Sequence, residues 1–419
     1  MTDRSKLIFS PCDVLLPPYA PDSEKWKSWS VIACDQHTGD VSYWDEVKSI
    51  ALGHPSTFNL ILPEAYLGSE EEAEQKLTIG RAMKSLDAGF LTRYKHALVY
   101  VERTLAGGEI RRGLVGKVDL ECYDYSKDTV SAVRPTEGTV AERIPPRMAV
   151  RREAVFEAPH VMVFINDERD RIIESLSEKK DQMKLLYDFD LMLGGGHVCG
   201  YLLGGELLEE VLDRIYALEE YGRENGVLIY GVGDGNHSLA TAKACYEELK
   251  KADGAAIETS KARFAAVELV SVFDESIVFE PIYRIVKGID TGAFTDALEA
   301  FAKERVGDGV SVGVVTSDFE REITLPVGKG ELTVGVLQDF IDEYVEKNGG
   351  ECDYIHDEDV LRSLAGEKNS VGLLFDGIGK DELFPYVANS GALPRKTFSM
   401  GDASSKRYYL EVRRIKEIH

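Results

Sequence analysis

A chain of 419 residues exceeds one ordinary hydrophobic core, and two or three domains are the expectation. Its 44% hydrophobic and 29% charged residues are those of a soluble globular protein, and no apolar run approaches the roughly 20 residues that span a bilayer. With no such run a membrane is not an expected partner, and the formal net charge of −24 repels phosphate backbones, so neither is a nucleic acid, whereas a small anion can still bind where a pocket sets its own potential.

The first residues, MTDRSKLIFSPCDVLLPP, hold no long apolar stretch and do not read as a signal peptide. Six cysteines (Cys12, Cys34, Cys122, Cys199, Cys245, Cys352) are scattered without a C-x-x-C pair or a Cys/His cluster, which predicts reduced thiols, a cytoplasmic location and no structural zinc. Short apolar runs (SWSVIA, FNLILP) and a charged helix over Ser69–Ala88 make residues 1–95 an N-terminal α/β portion. ALVYVERTL and RGLVGKVDL, joined through Ala106, Gly107 and Gly108, predict a hairpin. The Pro- and Arg-rich stretch that follows reads in its first half as a long ordered loop and ends in the strand VMVFI. A charged helix from about Glu168 to Lys179 comes next, then an apolar ribbon from Met183 to Leu203 broken by Gly194, Gly195 and Gly196, then an amphipathic helix over Gly205–Arg223. RFAAVELVSVF and IYRIV read as strands, and beyond residue 290 the helices AFTDALEAFAKE, LQDFIDEYVEK and DEDVLRSLAG alternate with the strands VSVGVV and SVGLLF. The fold class expected is α/β (α+β) with mixed sheets, divided as 1–95, 96–290 and 291–419.

Between the ribbon and these last strands lies GVLIYGVGDGNHSLATAKACYEELKK, in which an apolar strand over Val227–Tyr230 meets a Gly-rich turn and opens into a helix. Gly231, Gly233 and Gly235 permit backbone angles that other residues avoid. Asn236, His237 and Ser238 stand at the helix entrance, where unpartnered N–H groups and the helix dipole favour an anion. The run matches neither G-x-G-x-x-G, since Asn236 or Ser238 falls on the last glycine, nor a Walker A loop, since Asn236 and His237 follow Gly235. Two readings stay open from these residues: an anion seat, or a capped turn.

The pattern D-G-N-H-S-x-x-T-A resembles the D-G-H-H-R-x-x-T-A signature of the family catalogued as domain of unknown function 1015, and through it the G-x-H-R helix entrance of sulfiredoxin, the ParB nucleotide-binding fold and the archaeal free-serine kinase. VRPTEGT is similar to that family's R-H-E-x-T, PIYRIV to its P-x-H-R strand, and LPRKTFSMGD to its P-x-K-S-T segment. SWSVIACDQHTGD and FNLILPE resemble its N-terminal pair, so the likeness covers nearly the whole chain. It implies a ParB/sulfiredoxin-like core around the GDGNHS turn and a phosphotransferase for a small hydroxy amino acid, most concretely a free-serine kinase using a nucleotide or other phosphoryl donor. Asn236, Ser238 and Tyr283 depart from the family's His, Arg and His, so the turn lacks its own guanidinium.

Under this reading Gly233, Gly235, Asn236, His237, Ser238 and Thr241 hold phosphate, Glu137 accepts the proton of the attacking hydroxyl, and Asp234 holds Mg²⁺ beside His237. Arg134, Arg143 and Arg151 supply the missing charge, with Thr139, Asp35, His37 and Lys396 as further substrate contacts. The bland alternative pairs the arginines, among them Arg147 and Arg152, with acids such as Glu137, Glu142 and Glu153, and makes DQHTG an ordinary polar turn. His160 before VMVFI reads as structural rather than catalytic. No G-x-S-x-G elbow occurs, Cys245 has no activating partner, and Cys34 has its thiolate disfavoured by Asp35. A phosphoserine phosphatase and a non-catalytic nucleotide or phosphometabolite sensor remain the alternatives, and a homo-oligomer is left open.

Overall fold

The computed structural model describes residues 4–254 and 260–416. They form two compact units: one holds the chain up to Ile277 together with the segment from Asp402, the other Val278–Gly401.

The first unit is built on a ten-stranded mixed sheet, giving the mixed α/β class expected. Its strands are β1 (Phe9–Ser10), β2 (Cys12–Leu16), β3 (Thr92–Thr104), β4 (Ile110–Asp119), β5 (Val133–Pro135), β6 (Met162–Ile165), β7 (Lys184–Asp190), β8 (His197–Leu203), β9 (Tyr230–Asp234) and β10 (Phe264–Ser271). They run in the order β5-β9-β6-β10-β4-β3-β8-β7, with β1 beside β4 and β2 beside β3. Among these ten strands only β5 with β9 and β6 with β10 pair in parallel. Period-two alternation along β3 sends Ala97, Val99 and Val101 into one core and Leu98 and Tyr100 into another, so both faces of the sheet are covered. The first core is filled by Trp26, Trp29 and Trp44 and by Ile79, Met83 and Leu86 of helix α1 (Glu70–Asp87). The second takes Leu207, Leu208, Val211, Leu212 and Ile215 from α3 (Gly205–Asn225) and Leu239, Ala242 and Tyr246 from α4 (Asn236–Asp253). Each of the Leu, Ile, Val and Met side chains contributes about 1.5–3 kcal/mol by leaving water, which anchors these helices more firmly than propensity alone.

Three local expectations change. The cut drawn at residue 95 falls inside β3, because β1 and β2 pair with the hairpin strands; the C-terminal segment also returns, Tyr408–Tyr409 pairing with Val31–Ile32 and Arg413–Arg414 with Phe156–Glu157. The Pro/Arg stretch is not a loop throughout: it holds β5 and then helix α2 (Ile144–Glu153), whose Pro145 and Pro146 sit in the first turn, where a missing N–H costs nothing. The charged helix at Glu168 is replaced by a 3₁₀ segment over Glu174–Gln182. Buried Asp167 accepts the N–H groups of Asp170 (3.1 Å) and Ile172 (2.6 Å), folding residues 168–172 into a turn before a helix can start.

The second unit carries an antiparallel five-stranded sheet in the order Glu320–Val327, Asp308–Val315, Ser370–Leu374, Tyr283–Lys287, Glu351–Ile355. The helices Thr291–Glu304, Thr333–Asn348 and Glu358–Ala365 fall where the sequence places them. Among the described residues no helix is long and apolar enough to cross a membrane.

Candidate functional site

The GDGNHS turn is tighter than its glycines imply. Strand β9 starts at Tyr230, three residues later than expected, and continues through Gly231 and Gly233 to Asp234. Gly233 serves close approach instead of a left-handed angle, since a Cβ there would meet the Phe164 ring at 2.6 Å. The β9–β6 register shifts between Val232 and Asp234, a bulge that re-aims Asp234. Only Gly235 in this run has a positive φ, 78°, and a Cβ on it would stand 3.0 Å from Val161 Cα. Asp234 Oδ1 accepts the Gly235 N–H at 2.8 Å, and α4 begins at Asn236.

At that entrance the Ser238 and Leu239 N–H groups turn back to Gly235 O, whereas the N–H groups of Asn236 and His237 find no acceptor among the described residues. Two nearby side-chain oxygens are buried without a partner as well, Asn236 Oδ1 and Thr139 Oγ1. Unsatisfied buried polar groups are costly, and a ligand or ordered water at this helix N-terminus would satisfy them. His237 Nε2 accepts the Val140 N–H at 3.2 Å, so the neutral ring carries its proton on Nδ1. Burial, with Arg147 and Arg143 close by, lowers the His237 pKa and keeps that ring neutral.

A second string of polar groups borders the turn. Ser238 Oγ lies 3.1 Å from His160 Nε2, and His160 Nδ1 lies 2.8 Å from the Tyr409 hydroxyl, which accepts the Cys34 N–H at 3.2 Å. Asp35 Oδ2 stands 3.8 Å from His160 Nε2. Burial pushes the Asp35 carboxyl up, but His160, Gln36 and its own backbone outweigh it and hold the carboxyl below the ordinary range. Lys406 Nζ approaches Asp234 Oδ2 at 3.4 Å. Behind Ser238 and His160 opens a cavity of about 180 Å³ whose walls include Leu60, Met83, Phe156 and Leu239, an apolar space beside a polar mouth. Cys34 also borders it, and burial and Asp35 push its thiol up to about 12, so it is no nucleophile.

The expected site residues sort into three groups. Asp234, Gly235, Asn236, His237, Ser238 and Asp35 surround the turn as described. Glu137 and Thr139 follow β5, which runs parallel to β9, so both segments leave the sheet at one end; Thr136 Oγ1 ties them there by donating to Val232 O at 2.6 Å. Arg143 is exposed near His237. Others are engaged elsewhere. Thr241 donates to His237 O at 2.7 Å within its own helix, His37 stacks on Tyr43 at 3.7 Å, and Arg134 Nε donates to Ser131 O at 3.0 Å. Arg147 pairs with Glu64, Arg151 with Glu157 at 2.6 Å and Arg152 with Glu248 at 2.7 Å, so these three arginines do find acids. Lys396 belongs to the second unit, with a left-handed φ of 58°. Lys406 and Tyr409 escaped the sequence reading, because only the pairing of Tyr408–Tyr409 with Val31–Ile32 brings them to the turn. His160, read as structural, is bonded to both Ser238 and Tyr409.

A family model described as "Protein of unknown function (DUF1015)" matches residues 15–411. The chain belongs to this family. The match spans the turn, the cavity and both units, as the resemblance in the sequence implies. No curated protein matches the chain. Among solved structures, a conserved hypothetical protein from Pyrococcus furiosus is similar at 13% identity, covering 71% of this chain and 90% of that one with a TM-score of 0.32. A free serine kinase in complex with AMP is similar at 12% identity, with 72% and 91% covered and a TM-score of 0.35. SbnI from Staphylococcus aureus is similar at 10% identity, with 71% and 81% covered and a TM-score of 0.34.

Proposed function

We propose that the first unit binds the phosphate of a small phosphorylated molecule at the entrance of α4 and transfers a phosphoryl group to a small hydroxylated acceptor, free serine being the one the sequence resemblance implies. The observation that carries this reading is the pair of N–H groups of Asn236 and His237 that have no acceptor among the described residues, set beside a neutral imidazole whose Nδ1–H has none there either. Two N–H donors, a ring donor and the Lys406 ammonium suit the equatorial oxygens of a phosphoryl group, where positioning and electrostatics do most of the catalytic work. Lys406 and Arg143 take over the charge that the family's arginine, replaced by Ser238, would bring. In the transfer the acceptor oxygen bonds to phosphorus as the donor's bridging oxygen leaves, and the hydroxyl proton passes to Glu137. The apolar cavity behind Ser238 accommodates the non-phosphate part of the donor.

The resemblance makes Asp234 the candidate for Mg²⁺. With Oδ1 on the Gly235 N–H and Oδ2 toward Lys406, it offers a cation no ready seat, and no step here runs through the ion. Magnesium is therefore supplied with the donor in the test.

Purified protein is incubated with Mg²⁺, serine and ATP, ADP or pyrophosphate, and separately with phosphoserine alone. Phosphoserine formed only with a donor is the expected result. Phosphate released from phosphoserine alone moves the reading to a phosphatase, and nucleotide binding without turnover moves it to a sensor. His237→Ala should weaken phosphate-ligand binding roughly tenfold, the worth of one charge-assisted hydrogen bond. Glu137→Gln should bind normally and lose turnover; a fully active variant removes Glu137 from the mechanism.

A further inference from the structure

At the far end of the same sheet, β7 and β8 bring three different ligating side chains to one point. In the antiparallel register Cys199 faces Asp188 and His197 faces Asp190. The period-two alternation of β8 puts His197 and Cys199 on one half-exposed face, with Val198 and Gly200 buried on the other. Asp188 Oδ1 lies 2.7 Å from His197 Nε2 and 3.3 Å from Cys199 Sγ, and that sulfur lies 3.4 Å from the same ring nitrogen. The other ring nitrogen, Nδ1, is held by Asp190 Oδ1 at 2.7 Å.

These spacings are close to those of a metal polyhedron. With bonds of about 2.3 Å from zinc to sulfur and about 2.0 Å to nitrogen and oxygen, tetrahedral ligand atoms stand about 3.5 Å apart for S–N and S–O and about 3.3 Å for N–O. The first two edges are already within about 0.2 Å of these values, and the third needs His197 and Asp188 to part by about 0.6 Å. An orienting carboxylate on the ring nitrogen that does not ligate is the usual support of a metal-bound histidine. His197 is 38% and Asp188 42% exposed, which leaves a fourth position open to water.

We infer that Asp188, His197 and Cys199 form a binding site for a zinc-class divalent cation, with Asp190 orienting His197 and solvent as the fourth ligand. Binding replaces the thiol proton of Cys199 and the proton shared between His197 Nε2 and Asp188, and both leave to solvent. The mixed sulfur, nitrogen and oxygen set favours zinc or cobalt over magnesium or calcium, which take oxygen alone. Five strand spacings of about 4.8 Å separate β8 from β9, on the order of 24 Å, so this site is distinct from the α4 entrance and does not depend on the phosphotransfer reading.

The full chain, reduced and stripped with a chelator, is titrated with Zn²⁺ by calorimetry and with Co²⁺ by absorbance. The expected result is one ion per chain and a thiolate-to-cobalt charge-transfer band. Cys199→Ser should abolish the band, His197→Gln should weaken zinc binding at least about tenfold, and Asp190→Asn should weaken it about 10- to 100-fold while keeping the band. Cys352→Ser, in the other unit, should change neither, and circular dichroism confirms that each variant is folded. Absence of stoichiometric zinc binding by the unaltered chain, or a cobalt band that survives Cys199→Ser, overturns the assignment.

Discussion

Two groups of charged side chains in the first unit are built in opposite ways. Around Arg407 the charges are buried and paired: its guanidinium binds Glu411 and one oxygen of Glu268, whose Oε1 has no hydrogen bond, its Nε donates to Pro159 O at 3.0 Å, and Tyr187 donates to Glu411. Glu157 is matched likewise, between Arg151 and Arg413, each at 2.6 Å. Around the α4 entrance two N–H groups and two side-chain oxygens have no partner among the described residues, and Arg143 is exposed. The difference teaches that charge in this acidic chain divides into clamp and site, and that the clamp holds the site. Pro159, which Arg407 grips, immediately precedes His160.

Removing a clamp has the largest expected effect. Arg407→Met leaves Glu268 and Glu411 buried without their counter-ion and should lower unfolding stability by about 3–5 kcal/mol in urea denaturation. A loss under about 1 kcal/mol would mean that the clamp is ornamental. Gly235→Val should cost about 1–3 kcal/mol, because its φ of 78° and the 3.0 Å approach to Val161 Cα both oppose a side chain; an unchanged midpoint would mean that the turn can rearrange. The smallest stability effect belongs to Arg143→Ala, within about 0.5 kcal/mol, but it should weaken phosphate-ligand affinity several-fold and more so at low salt. Unchanged affinity at low salt would place Arg143 outside the site.

Much of the fold was legible because it rests on local pattern. The helix over Glu70–Asp87, the Thr92–Asp119 hairpin, the ribbon at Lys184–Leu203 and the helices of the second unit all follow periodicity and Gly-rich turns. Misses arose where a single tertiary contact overrode the pattern. Asp167 capped a turn where charge density suggested a helix, and two prolines that read as a loop began one instead. At the site, Asp234 to Ser238 are contiguous and could be read together. His160, Lys406 and Tyr409 are far apart in sequence, and no spacing rule joins them.

The helix entrance is written in the local sequence: Gly235 admits the left-handed angle, and a helix opening after it leaves its first N–H groups without intrahelical acceptors. The family is legible in the sequence too, through several separated motifs in order. Which charges remain for a ligand depends on packing. Arginine and lysine reach whatever acid the packed sheet brings near, so Arg151 went to Glu157 and Lys406 came to Asp234. The same holds for Asp188, His197 and Cys199, which became one group only when β7 and β8 paired in register. A hydrogen bond is satisfied at about 3 Å in space, and distance along the chain does not enter.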